Sequence, residues 1–249
     1  MRELSLFTGA GGGVLGSKLL GWETIGYVEY ETYCQKILKQ RIADGILDAA
    51  PIFGDIRNFI SEGYADAYKG MVDVVAAGFP CQPFSVAGKG AGEDDPRNMW
   101  PQTIEVIRRV RPRFAFLENV PGLLAHKYIR RIFGDLAESG YDCRWRIVSA
   151  AEVGAPHRRD RLWVVANDRS QRGEGLQSKA IYREQRVPWG KDVRGIEDLR
   201  NRPDIPDPLV RRMGDGVAFG LDRLKAIGNG QVSIVAATAW RLLNDTRSD

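Results

Sequence analysis

The sequence predicts an α/β fold: a mostly parallel sheet with helices on both faces, an antiparallel pair at one edge and a small irregular insert. Three observations point there. Short apolar runs alternate with longer amphipathic stretches, which is the pattern of successive βαβ units. A glycine-rich stretch follows the first apolar run directly, as a tight strand-to-helix connection requires. The last two runs stand too close together to hold a helix between them, so they form a hairpin-like pair.

The strand candidates are LSLFTG (4–9), TIGYVE (24–29), PIFGDI (51–56), VDVVAAG (72–78), RFAFLEN (113–119), DCRWRIVSA (142–150) and RLWVVAN (161–167). Helices are expected at 13–21, 31–43, 101–110 and 127–138, the third opened by Pro101 in its first turn. After Asn167 the alternation stops, and 168–215 is rich in charge, Gly and Pro. An unpatterned stretch this long is uncommon inside a compact domain unless it has a job. Order returns with a closing helix whose one face is marked by Val232, Val235, Ala236, Ala239 and Leu242. The chain thus divides into a body, 1–167 with 221–249, and an insert, 168–220.

Composition narrows the class. Of 249 residues 43% are apolar, enough for a substantial core, and no apolar run approaches the roughly 20 residues that span a bilayer. The N-terminus enters a strand without the layout of a signal peptide, so a soluble cytoplasmic protein is expected, a monomer by default. Three cysteines, Cys34, Cys81 and Cys143, with only His126 and His157 beside them, support neither a disulfide framework nor a metal site. The net charge is +4, and the segment 168–212, with 11 Lys and Arg against 8 Asp and Glu, holds +3 of it. Such a segment suits contact with a polyanion, as it would suit a solvated loop.

Ligands of open α/β sheets bind outside the carboxyl ends of the strands, so the residues just past each strand were read for chemistry. The first exit is FTGAGGGVLG, the second Glu29, the third Asp55, the fourth GFPCQPFS and the fifth Glu118 with Asn119. Gly11-x-Gly13-x-x-Gly16 with Glu29 downstream matches a dinucleotide fingerprint, although a plain tight turn has the same glycines. It suits an adenosine-bearing cofactor, with Glu29 accepting from ribose hydroxyls and Asp55 from an adenine amino group. Cys81 stands between Pro80 and Pro83, which fix the backbone on both sides. A rigidly held cysteine at a polar rim suits a thiolate nucleophile, and Glu118 at the next exit suits a partner acid.

Taken together these residues resemble the cytosine-5 DNA methyltransferases. LFTGAGGGVLG, Glu29-Tyr30, GDI (54–56), GFPCQPFS, ENV (118–120), HRRDRLWVV (157–165) and GNGQV (228–232) stand in the family's order. The resemblance implies a Rossmann-like S-adenosylmethionine-dependent methyltransferase fold and duplex DNA as partner, with S-adenosylhomocysteine as a product. It implies that Cys81 adds to carbon 6 of a flipped-out cytosine while Glu118 bonds the ring, and that Arg159 and Arg161 grip the base and its phosphate. It implies a cofactor site built from Phe7, Gly9, Gly11, Gly12, Glu29, Tyr30, Asp55, Ile56, Pro80, Met99 and Asn229. Gln82, Ser85, Lys89 and Arg97 are the expected DNA contacts around the nucleophile.

The insert corresponds to the family's target recognition domain but is short, with Arg183, Arg186 and Arg194 as candidate base or phosphate contacts. His157 replaces the usual Gln, and Gly230-Gln231 replace a small-hydrophobic pair. The same catalytic set would serve an RNA cytosine-5 methyltransferase, which is the alternative. A nicotinamide-dependent oxidoreductase would leave Cys81, Glu118 and the two arginines without roles.

Overall fold

The computed structural model describes residues 1–80, 97–155, 157–171 and 230–244. Seven strands form one sheet: β1 (Arg2–Leu6), β2 (Glu23–Val28), β3 (Ile52–Phe53), β4 (Val74–Ala77), β5 (Phe114–Asn119), β6 (Tyr141–Val148) and β7 (Arg161–Asp168). Their order is β3-β2-β1-β4-β5-β7-β6. Strands β1 to β5 pair in parallel, while β7 runs antiparallel to β5 and β6 antiparallel to β7. The expected edge pair is therefore present, with β6 outermost. Strand order reverses between β1 and β4, which opens a crevice at their carboxyl ends.

Both faces of the sheet are covered, and the period-two alternation of the strands sorts the side chains between them. Leu4, Leu6, Val75, Ala77, Leu117, Leu162 and Val164 face one layer. That layer contains α3 (Ile56–Ser61), α4 (Tyr64–Ala67), α5 (Trp100–Val110), α6 (Gly122–Ala125) and α7 (Tyr128–Glu138). Helix α5 buries Trp100, Ile104, Ile107 and Val110 along one stripe, and the Trp100 indole donates to Asp135 of α7 at 2.7 Å. Val74, Phe114, Phe116, Trp163 and Val165 face the other layer, where the closing helix α8 (Ser233–Asn244) packs. Trp22 meets Trp240 of α8 edge to face at 4.6 Å. On α8, Leu243 is buried, whereas Leu242 is only partly so.

The sequence reading departs from the structure most at PIFGDI. Only Ile52 and Phe53 form strand, because the Asp55 carboxylate accepts from the Arg57 amide at 2.9 Å and caps α3. None of the short helices α3, α4 and α6 was expected. The other boundaries shift by one to three residues. Helix α2 (Thr32–Ala43) buries Cys34, and Cys143 of β6 is half-buried, its thiol pushed up to about 12 by burial. Both cysteines sit within packing, as their apolar surroundings imply.

The glycines after β1 serve a purpose that appears only in three dimensions. Gly11, with φ 90, is the N-cap of α1 (Gly12–Leu19) and faces Leu38 and Leu47. A methyl group on Gly16 would lie 2.6 Å from the Ser233 carbonyl oxygen and 2.9 Å from the Ala236 methyl, so α1 and α8 touch almost backbone to backbone. Ser233 Oγ donates to the Gly12 carbonyl at 2.8 Å across that contact.

Beneath α1 lies Glu3, 1% exposed, accepting from Ser17 Oγ and Thr24 Oγ1, both at 2.9 Å. Burial without a cation raises its carboxyl from 4.5 to about 7 against those two hydrogen bonds, with Asp48 adding to the rise.

Two outcomes are expected. Gly16→Ala forces α8 outward and lowers unfolding free energy by about 1–3 kcal/mol, measured by denaturant titration. Because Glu3 keeps its proton to higher pH when folded than when unfolded, its contribution is fully present below pH 4.5 and is lost as pH rises toward 7. Glu3→Gln removes this dependence, gaining up to about 3 kcal/mol relative to wild type between pH 4.5 and 8. Parallel stability curves for the two proteins would contradict that assignment.

Candidate active site

An open cleft occupies the switch point of the sheet, on the layer that carries α1 and α8. Alternate residues of four strands and their extensions line it: Ser5 and Phe7, Ala76 and Gly78, Phe116 and Glu118, and Trp163 of β7. Glu3 and Ser17 lie at its floor, and Gly230 and Gln231 close one side. Strand geometry explains the choice of residues, since every second side chain points to the same face.

The β1 exit is tightly held. Phe7 is in the left-handed region at φ 52, a strained setting for a bulky residue, and Gly9 follows at φ 58. Thr8 Oγ1 donates to the Ser5 carbonyl at 3.0 Å, and the Thr8 amide donates to the Val28 carbonyl at 3.2 Å. The buried Glu29 carboxylate accepts from the Gly9 amide at 2.6 Å and from the Glu31 amide at 2.7 Å. It thereby ties the end of β2 to the turn after β1 and stands fixed as an acceptor at the rim.

At the β4 exit the chain passes through Gly78, Phe79 and Pro80. Asn119 Nδ2 donates to the Phe79 carbonyl at 3.1 Å, and Asn119 Oδ1 accepts from the Val120 amide at 2.9 Å. One side chain therefore locks two neighbouring exits together. Phe79 itself is buried against Trp100, with ring centroids 5.3 Å apart.

The strongest charges meet at β5. Glu118 Oε1 accepts from Arg161 Nε at 2.8 Å, with side-chain exposures of 12% and 23%. Arg159, in the left-handed region at φ 34, donates to the Gly230 carbonyl at 2.5 Å. Burial raises the Glu118 carboxyl above the usual carboxylate range, opposed by Arg161, by a hydrogen bond from Gln231 and by Arg159. Burial and the neighbouring Arg161 lower Arg159. A carboxyl so balanced can serve as hydrogen-bond acceptor or as acid beside two guanidinium forks.

The predicted residues fall in different settings. Phe7, Gly9 and Glu118 line the cleft, and Glu29, Arg159 and Arg161 are bonded to its lining. Tyr30 (68% exposed) and Pro80 are at the surface, and Arg97 and His157 are exposed as well. Asp55 caps α3, Ile56 is buried, and Met99 packs on the core at the start of α5. Gly11 and Gly12 stand beside the lining residues Gly9 and Gly13, with Gly12 beneath the Gln231 backbone. Cys81, Gln82, Ser85, Lys89, Arg183, Arg186, Arg194 and Asn229 lie outside the described residues. Sequence reasoning missed Glu3, Ser5, Trp163 and Gln231. The first three share period-two parity with Phe7 and Arg161, which would have found them; Gln231 stood only as a departure from a motif.

Trp163 Nε1 is buried with no hydrogen-bond partner among the described residues, a donor left for an acceptor in the cleft that its residue lines. With the fixed acceptor Glu29 at the rim and apolar walls from Phe7 and Phe116, the lining fits an amphipathic ligand that carries hydroxyls and an acceptor for the indole. Among the described residues no group of three or more His, Cys, Asp or Glu could hold a metal ion, and no helix is long and apolar enough to cross a membrane.

Comparison with known proteins gives this arrangement its context. The chain is 35% identical over 168 residues to type II methyltransferase M.NgoMIV of Neisseria gonorrhoeae, covering 66% of this chain and 51% of that protein. It is 34% identical over 240 residues to M.HpaII of Haemophilus parainfluenzae, covering 91% of this chain and 61% of the relative. The chain spans about half the length of the curated relatives it matches, such as M.NgoMIV. Among solved structures, a putative DNA modification methyltransferase encoded within an E. coli prophage matches with TM-score 0.54 and 25% identity, covering 68% of this chain and 47% of that one. The S. pombe Dnmt2 methyltransferase matches in fold with TM-score 0.55 and 21% identity, covering 70% of this chain and 51% of that one. The profile of the family described as C-5 cytosine-specific DNA methylase matches residues 1–213, and the chain belongs to that family.

Proposed function

We propose that this chain transfers a methyl group from S-adenosylmethionine to carbon 5 of a cytosine flipped out of duplex DNA. The observation that carries the reading is the mostly buried Glu118 in the grip of Arg161, beside a locked β4 exit that leads in sequence straight to Cys81. Family membership supports the substrate class.

Phe7, Gly9, Gly11, Gly12, Glu29, Tyr30, Asp55, Ile56, Pro80, Met99 and Asn229 are the proposed cofactor residues, Glu29 accepting from ribose hydroxyls. When bound, S-adenosylmethionine supplies an electrophilic methyl group, and S-adenosylhomocysteine is the product. The Cys81 thiolate adds to carbon 6 of the cytosine, which gives carbon 5 the electron density to take the methyl group. Glu118, its proton affinity raised by burial, donates to ring nitrogen 3 and stabilises the charge that builds in the ring. Arg161 keeps that carboxyl aimed, and Arg159 and Arg161 hold the base and its phosphate. Loss of the carbon-5 proton to a base and departure of the Cys81 thiolate restore the aromatic ring. Flipping costs a few kcal/mol of unstacking, which contacts from Gln82, Ser85, Lys89 and Arg97 offset.

Residues 1–167 and 221–249 form the catalytic domain in this reading, and 168–220 is a short target recognition segment in which Arg183, Arg186 and Arg194 contact DNA. The protein acts as a monomer in the cytoplasm of a bacterial or phage-infected cell. Its type II relatives support a DNA modification role, as in restriction-modification.

Labelled methyl groups are expected on duplex DNA and not on transfer RNA, with bisulfite sequencing reporting the target. Cys81→Ser lowers transfer to background, more than about 10³-fold, while fold and donor binding persist. Label on RNA alone, or substantial transfer by the serine variant, would overturn the reading.

A further inference from the structure

Gln231 is a polar side chain of the cleft wall to which the proposed reaction gives no task. It lies in the short segment that leads into α8, and it enters a space that three glycines leave open. Its backbone carbonyl oxygen lies 2.3 Å from where a methyl group on Gly12 would stand. Its side-chain Oε1 lies 2.2 Å from the corresponding point on Gly13, and its Nε2 lies 2.7 Å from that on Gly78. The amide thus spans the gap between the start of α1 and the exit of β4, and none of these glycines could be replaced without displacing it. Beyond Gly78 it reaches Glu118, to which it donates a hydrogen bond. The Glu118 oxygen nearest Gly78 is Oε2, while Arg161 holds Oε1.

Resting on the proposed methyl transfer, we infer that Gln231 is a positioning residue that fixes Glu118 from the side opposite Arg161 and couples its aim to the closing segment of the chain. A second donor beside Arg161 leaves a carboxyl less freedom to rotate, whereas one arginine through a single nitrogen would leave it free to swing. The choice of amide matters. A third cation here would stabilise the ionised carboxyl strongly and oppose its use as an acid, whereas a neutral donor orients it with a weaker bias. Among the described residues the charged groups facing Glu118 are Arg161 on β7 and Arg159 just before it, with Glu3 at the floor of the same cleft. Gln231 also joins Arg159 indirectly, because Arg159 bonds the preceding carbonyl, that of Gly230, at 2.5 Å. The return of the C-terminal segment and the setting of the carboxyl are therefore one event.

Gln231→Met keeps the length and shape of the side chain and removes the donor. Two measurements on the full chain test the inference. Carbon-13 titration of the Glu118 carboxyl, assigned by its absence in Glu118→Gln, is expected to move upward by about one pH unit in Gln231→Met, because a hydrogen bond to the ionised form is lost. In steady-state methylation, kcat is expected to fall about tenfold or more with the KM for S-adenosylmethionine little changed, and the pH limb assigned to Glu118 to move with the titration. An unmoved titration would overturn the inference. So would a loss confined to KM, or a fall in kcat that parallels a fall in thermal stability with an unmoved pH limb. The titration reads the bond whether or not methyl is transferred. If wild type methylates neither DNA nor RNA while the titration still moves, the proposed function fails and the link between Gln231 and Glu118 stands.

Discussion

A carboxyl group taken out of water at the end of a strand must be compensated where it stands, and the arrangement of this molecule follows from how Glu118 is compensated. The parallel strands can bring only their carboxyl ends to the rim of the sheet. A cation from the start of a strand reaches the same rim only if that strand runs the other way. Strand β7 does so, and its first residue, Arg161, meets Glu118 at 2.8 Å. The antiparallel edge pair is therefore more than a way to finish the sheet, since it delivers the arginine to a site otherwise made of parallel exits.

The glycine-rich turn makes a second point about cause. In sequence it matches a dinucleotide fingerprint, and the usual reason for such glycines is close approach of a phosphate. Here Gly12, Gly13 and Gly16 are instead approached by Gln231, Ser233 and Ala236 from the far end of the chain. The turn before them, with Phe7 and Gly9 in left-handed conformations and Glu29 bonded to the Gly9 amide, lines the cleft, and Gly13 lines it as well. One motif thus serves both packing against the closing segment and lining of the cleft. The strain at Phe7 falls on the binding side, where a ring must be turned into the cleft.

Much of this was legible in the sequence because it is local. Alternating apolar runs specify the strands, the missing spacer between 150 and 161 leaves no room for a helix between the last two strands, and each strand's exit residues can be read off its end. The strand at PIFGDI was read too long because an N-cap and a strand exit look alike in a short apolar run, and Asp55 starts α3 by accepting from the Arg57 amide. The Glu118–Arg161 pair required the register of β5 on β7, in which Asn119 stands opposite Leu162. Composition carries no trace of that register. Gln231 was further from reach, since its neighbours Gly13, Gly78 and Glu118 are more than 100 residues away in the chain and nothing in its own segment announces them.

The central claim, a transient bond between one sulfur and a pyrimidine carbon, is tested most directly with duplex DNA carrying 5-fluorocytosine at the target position. After methyl transfer the fluorine at carbon 5 cannot leave as a proton does, so the thiolate cannot be expelled. In the presence of S-adenosylmethionine, a denaturation-resistant complex is predicted whose modified peptide maps to Cys81 by mass spectrometry. No covalent complex with that DNA, or an adduct on any other residue, would contradict the mechanism.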